Sequence, residues 1–131
     1  MNASFEDCEV LMQCLDEAGI NWEGVYNKYS SIRKVDCDAI AKMALENYVE
    51  MRDLVTRKEF LQQQKISNIL LEHFPDHFIP RYNMVSFTSI PYSEVYRRGN
   101  IQNEIISKLN LENLDMTLVK SMINNKLSPL V

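Results

Sequence analysis

Glycine occurs three times in 131 residues, at positions 19, 24 and 99. No GxG occurs, and Gly24 is followed by Val25 and Tyr26 where a P-loop needs Lys and Ser or Thr, so neither a GxGxxG dinucleotide loop nor a phosphate-binding P-loop can be written within these residues. A nucleotide cofactor used by this chain would be held mainly by other polypeptide. Scarce glycine also means few enforced breaks, and the apolar residues recur with helical spacing almost throughout.

"SFEDCEVLMQCLDEAG" predicts a helix opening with Ser4 and Asp7 at capping-box spacing and stopping at Gly19. A loop carrying Trp22, Tyr26 and Tyr29 is expected next. "VDCDAIAKMALENYVEMRDLVT" predicts a long helix from about 36 to 56, capped by Asp36 or Asp38. "RKEFLQQQKISNILLEHF" predicts another, ended by Pro75. In "FIPRYNMVSFTSIPY", residues 78 to 92, two prolines and the alternation of Met84, Ser86 and Thr88 predict a short extended segment near 84–89. Helical patterning resumes in "SEVYRRGNIQNEIISKLN" and closes with "LDMTLVKSMINNKL". The expected fold class is mainly α, one helical region over residues 1–131 with no internal repeat.

A net charge of −4 with scattered Lys and Arg offers no basic field for nucleic acid or anionic lipid, and "RRG" at 97–99 is too short to form a patch. No apolar run approaches the ~20 residues of a membrane span. Cys8, Cys14 and Cys37 lack CxxC spacing and read as reduced thiols of a cytosolic protein, with Cys8 and Cys14 in the core. His73 and His77 stand four apart with Pro75 between them, so they read as surface or loop histidines and no metal site is expected. The acidic residues at 6, 7 and 9 read as a solvated first helical turn.

One residue breaks its pattern. Ile40, Met43, Ala44, Tyr48, Met51, Leu54 and Val55 have the spacing of a buried helical face, and Asn47 lies among them. A buried amide left unpaired costs about 1–3 kcal/mol, so it needs a partner. Spacing alone leaves two candidates: a neighbouring backbone group, or a ligand in a pocket walled by Met51 and approached by the Tyr82 phenol.

"MALENYVEM" at 43–51 and "FIPRYNMVSF" at 78–87 resemble the C-terminal third of the kynurenine 3-monooxygenase family. "MNASFED" at 1–7 is similar to the end of a segment shared by flavin-dependent aromatic hydroxylases. "IPYSEVYRRGNIQ" and the closing "KLSPLV" resemble the soluble bacterial form. The resemblance covers essentially the whole chain. It implies an FAD-dependent, NADPH-consuming monooxygenase that converts L-kynurenine to 3-hydroxy-L-kynurenine, in tryptophan catabolism leading to pyridine nucleotide biosynthesis. By position it implies that Asn47, Met51 and Tyr82 bind substrate and that the main chain of Met1 and Asn2 lies against the flavin ring. It assigns no catalytic residue to these positions. The family's flavin domain, an arginine and a tyrosine of its carboxylate site, and the membrane anchor of its eukaryotic members have no counterpart here. The resemblance therefore implies a fragment or misread frame of a cytoplasmic protein, inactive alone and partnered by the missing flavin domain or by self-association through an exposed apolar face. The alternative reading is a non-catalytic helical binding or regulatory module derived from that family.

Overall fold

Gly19 adopts a left-handed φ of +59°, which only glycine takes without strain, and its N–H donates to Leu15 O at 2.9 Å. That closes α1 (Asn2–Ala18) where the sequence predicts. The computed structural model describes residues 2–54 and 57–130. The other helices are α2 (Trp22–Val49), α3 (Lys58–His73), α4 (Arg81–Phe87), α5 (Tyr92–Ser107) and α6 (Met116–Lys126). No strand occurs among the described residues.

Three local expectations give way. Ser4 is not a cap, because α1 is already helical from Asn2 and Ser4 falls inside its first turn. The expected aromatic loop is helix: Asn21 caps α2 by accepting from the Gly24 N–H at 3.2 Å, so Trp22, Tyr26 and Tyr29 are helical and neither Asp36 nor Asp38 starts the element. The expected extended segment near 84–89 is mostly helix as well. Pro80 and Pro91 are the N-cap residues of α4 and α5, positions where a missing N–H costs nothing, so each proline starts a helix. Residues 88–91 link the two helices, with Thr88 in extended backbone.

α5 organises the packing. Its first half joins α2 and α4 in a core of Ala39, Met43, Met84, Tyr92 and Val95. Its second half joins α3, α6 and Phe78 in a core that includes Ile66, Leu70, Ile105, Val119 and Ile123. Each fully buried Leu or Ile here contributes roughly 1.5–3 kcal/mol relative to exposure. α2 lies along α1 over its first half and along α5 over its second. The two later caps are local. Asp115 accepts from Thr117 N at 2.8 Å to start α6, and Phe74 ends α3 just before Pro75.

Candidate functional site

The last turns of α2 carry Asn47, and there the helix widens into a π turn over Glu50–Leu54 that carries Met51. The Glu50 N–H reaches back to both Asn47 O and Glu46 O as the helical register changes. Single-turn π segments recur at functional sites because they re-aim side chains. Tyr82 comes from the first turn of α4, where its ring meets Phe87 edge-on with centroids 6.4 Å apart.

None of these three side chains is buried. Met51 is 66% exposed, Tyr82 72% and Asn47 is likewise on the surface. This corrects the expectation that Asn47 sits on a buried face. The buried residues of α2 are Val25, Arg33, Ala39 and Met43, and the buried face ends at Met43. Beyond it the apolar stripe continues through Tyr48 and Met51, with Leu45 and Val49 also exposed, and no other helix among the described residues covers them. Asn47 is therefore free of the unpaired-amide cost, and no buried backbone partner is needed.

The structure links Asn47 to Tyr82 through their chain neighbours. Arg81 donates from Nη1 to Glu46 Oε2 and from Nη2 to Asn100 Oδ1 at 3.0 Å. The Tyr96 hydroxyl donates to the second Glu46 oxygen at 3.1 Å, and the Arg81 guanidinium lies 5.8 Å from the Tyr96 ring centroid. The end of α2 and the start of α4 are thus tied to each other and to α5.

A recess of about 390 Å³ lies elsewhere, against α3 and the C-terminal end of α5, lined by residues such as Glu59, Gln63, Lys108 and Asn110. It contains none of Asn47, Met51 or Tyr82. What the chain presents at the expected substrate residues is one open wall.

The described residues offer no glycine cradle for the pyrophosphate of a flavin dinucleotide. Gly24 is backed by the Asn21 side chain, Gly99 by Arg81, and Gly19 serves the α1 turn. No glycine is left to bring backbone N–H groups against a pyrophosphate. Of the two residues expected at the flavin ring, Met1 lies outside the described residues; Asn2 is the first residue of α1 and its side chain also lies outside them. No group of three His, Cys, Asp or Glu able to hold a metal is found among the described residues. His73 pairs its Nδ1 with Ile69 O of its own helix, while the His77 carbonyl accepts from Arg98.

Two features escaped the sequence reading. Glu6 and Asp7 are not simply solvated: they hold Arg33, which is 5% exposed, with its Nε donating to Asp7 Oδ1 at 2.7 Å and Nη1 3.4 Å from Glu6. Asp36 adds a third carboxylate at 3.8 Å, and its other oxygen accepts from the Ser93 N–H at 2.8 Å in the first turn of α5. An acidic turn facing a lone arginine across a helical hairpin has no local signature. Cys8, expected in the core, is exposed, while Cys14 is buried; all three cysteines are free thiols.

The Tyr92 hydroxyl donates to Glu6 at 3.0 Å in the same network. Burial and that carboxylate push its pKa from 10.0 up to about 12, Asp36 adding in the same direction and Arg33 opposing. The neutral phenol's contribution is fully present below pH 10 and is lost as pH rises from 10 to about 12, on the order of 2–3 kcal/mol. Urea unfolding across that window is expected to show a steeper loss of stability in the wild type than in Tyr92→Phe. Parallel curves would remove Tyr92 from the pH response.

No family model matches the chain. The chain is similar to curated proteins named kynurenine 3-monooxygenase from three bacteria. It is 40% identical over 98% of its length to that of Myxococcus xanthus and 35% identical over 100% to that of Flavobacterium psychrophilum. It is 37% identical over 97% to that of Stenotrophomonas maltophilia. It spans 29–30% of the length of these relatives. Among the described residues no helix is long and apolar enough to cross a membrane. With such identity sustained along nearly every residue and helices throughout the described residues, the chain matches the C-terminal part of kynurenine 3-monooxygenases.

Proposed function

We propose that this chain forms a wall of the substrate site of a cytoplasmic FAD- and NADPH-dependent monooxygenase that hydroxylates L-kynurenine at ring position 3. Asn47 and Tyr82 hydrogen-bond the substrate's amino-acid end, and Met51 supplies a polarizable apolar surface. Met1 and Asn2 meet the flavin ring through their main chain, and FAD is otherwise held by polypeptide beyond these residues.

The observation that carries this reading is the exposure of all three substrate residues on elements tied together by the Glu46–Arg81 pair. Apolar and amide groups left open there can face a ligand, which buried groups could not. Asn47 and Tyr82 offer hydrogen bonds and Met51 an apolar surface, so the work of these three residues is binding and placement. Placing the ring matters because misplacement by about 1 Å can cost on the order of 10²-fold in rate.

The test is replacement of the residue matching Asn47 by Ala in a full-length relative. Loss of a hydrogen bond to a charged amino-acid group is worth roughly 1.5–3 kcal/mol, so KM for L-kynurenine should rise about 10- to 100-fold. An unchanged KM would remove Asn47 from the substrate site.

A further inference from the structure

Gly99 sits in the middle of α5, where glycine normally weakens a helix relative to alanine. The structure gives a reason for it. A Cβ on Gly99 would lie 2.5 Å from Arg81 Nε and 3.3 Å from Arg81 Cγ and Cδ, which is inside van der Waals contact. The Arg81 side chain therefore crosses α5 directly over the missing Cβ. From that seat its guanidinium reaches Glu46 on α2 and Asn100 on α5, and it lies by the Tyr96 ring. Its side chain is 22% exposed, so the contacts are partly withdrawn from water.

We propose that Arg81, seated over Gly99, is the positioning residue that holds Tyr82 on α4 in register with Asn47 on α2. The proposal rests on the reading of Asn47 and Tyr82 as substrate residues, but the joint itself is a property of three helices. Arg81 immediately precedes Tyr82, and Glu46 immediately precedes Asn47. α4 has only seven residues, and neither Pro80 nor any other side chain hydrogen-bonds its N-terminal turn from the cap position. Gln102 Nε2 donates to Ile79 O at 3.0 Å and Phe78 is buried just before α4. Met84 anchors its middle, and the Arg81 fork is the side-chain tie from its first residue to α2 and α5. The planar guanidinium supplies two donors at fixed spacing, one for each neighbouring helix. A lysine ammonium at the end of a flexible stem does not reproduce this geometry.

The test is a double-mutant comparison in the full 131-residue chain. Gly99→Ala should lower the thermal midpoint, because the new methyl displaces Arg81. In an Arg81→Ala background the same Gly99→Ala change should instead raise the midpoint by about 3 °C, since only the helix-forming advantage of alanine remains. A change of the same sign and size in both backgrounds would show that Gly99 does not seat Arg81 and would overturn the proposal. Hydrogen exchange supplies the positional readout. The Met84 N–H bonds to Pro80 O in the first turn of α4, and its protection should fall about tenfold in Arg81→Lys and in Glu46→Gln. The Leu127 N–H, bonded to Ile123 O in the other core, should keep its protection. Unchanged Met84 protection, or an equal fall at both amides, would reduce Arg81 to a general stabilising contact. Neither readout uses kynurenine, so a negative result here and a failed Asn47 test remain separate results.

Discussion

Supplied with FAD, NADPH and oxygen, the purified 131-residue chain is expected to show no NADPH oxidation stimulated by L-kynurenine. The reason lies in how its helix N-termini are used. A dinucleotide pyrophosphate is gripped by free backbone N–H groups at a helix start, reached through a glycine turn. Here the first turn of α2 is occupied by the Asn21 side chain, that of α5 by the Asp36 carboxylate, and that of α6 by Asp115. Two of these caps are anionic and would repel a phosphate placed beside them. None of the three glycines makes a cradle. Spectrophotometry of NADPH absorbance tests this directly. A rate that rises with kynurenine concentration would mean that the chain grips flavin in a way its helix starts do not suggest.

Arg98→Met is expected to lower stability by roughly 2–4 kcal/mol. Arg98 is 1% exposed and burial pushes its guanidinium below the ordinary arginine pKa. Its Nη2 donates to His77 O at 2.8 Å and to Ser128 O at 2.9 Å, joining the turn after α3 to the C-terminal segment across α5. The nearest carboxylate, Glu94, is 3.9 Å away, and no hydrogen-bond partner of Nε occurs among the described residues. The charge is thus held mainly by carbonyl oxygens. Methionine fills similar space but leaves both carbonyls without a donor, and the relief of burying no charge offsets only part of that. Urea unfolding should record the loss, with the Leu130 N–H to Asp76 O bond among the first to exchange. A loss below about 0.5 kcal/mol would mean that water replaces the guanidinium and that the clamp is dispensable.

The same residue shows where local reading stops. "RRG" was legible as too short for a basic patch, and it forms none. Nothing in those three letters indicates that Arg98 is buried as a clamp or that Gly99 is the seat of an arginine from another helix. Pro80 and Pro91 show the same limit. Proline forbids a helix interior but suits a helix start, and the choice between the two is made by the packing of the residues after it.

Helical class, the Gly19 stop, the α3 end before Pro75 and the last helix were all set by interactions within four residues of one another, and these the sequence alone determined. The motifs around Asn47 and Tyr82 were equally legible, and the identity to the relatives runs along nearly the whole chain. Only tertiary structure decided which parts of an apolar stripe are covered. Periodicity states that one side of α2 is apolar all the way to Met51, but covering is supplied by other elements, and α5 buries that side only as far as Met43. Asn47 therefore changes from an amide buried in a core to one displayed on an open apolar surface. Its spacing is the same in both cases, because a helix's period is local and its burial is not.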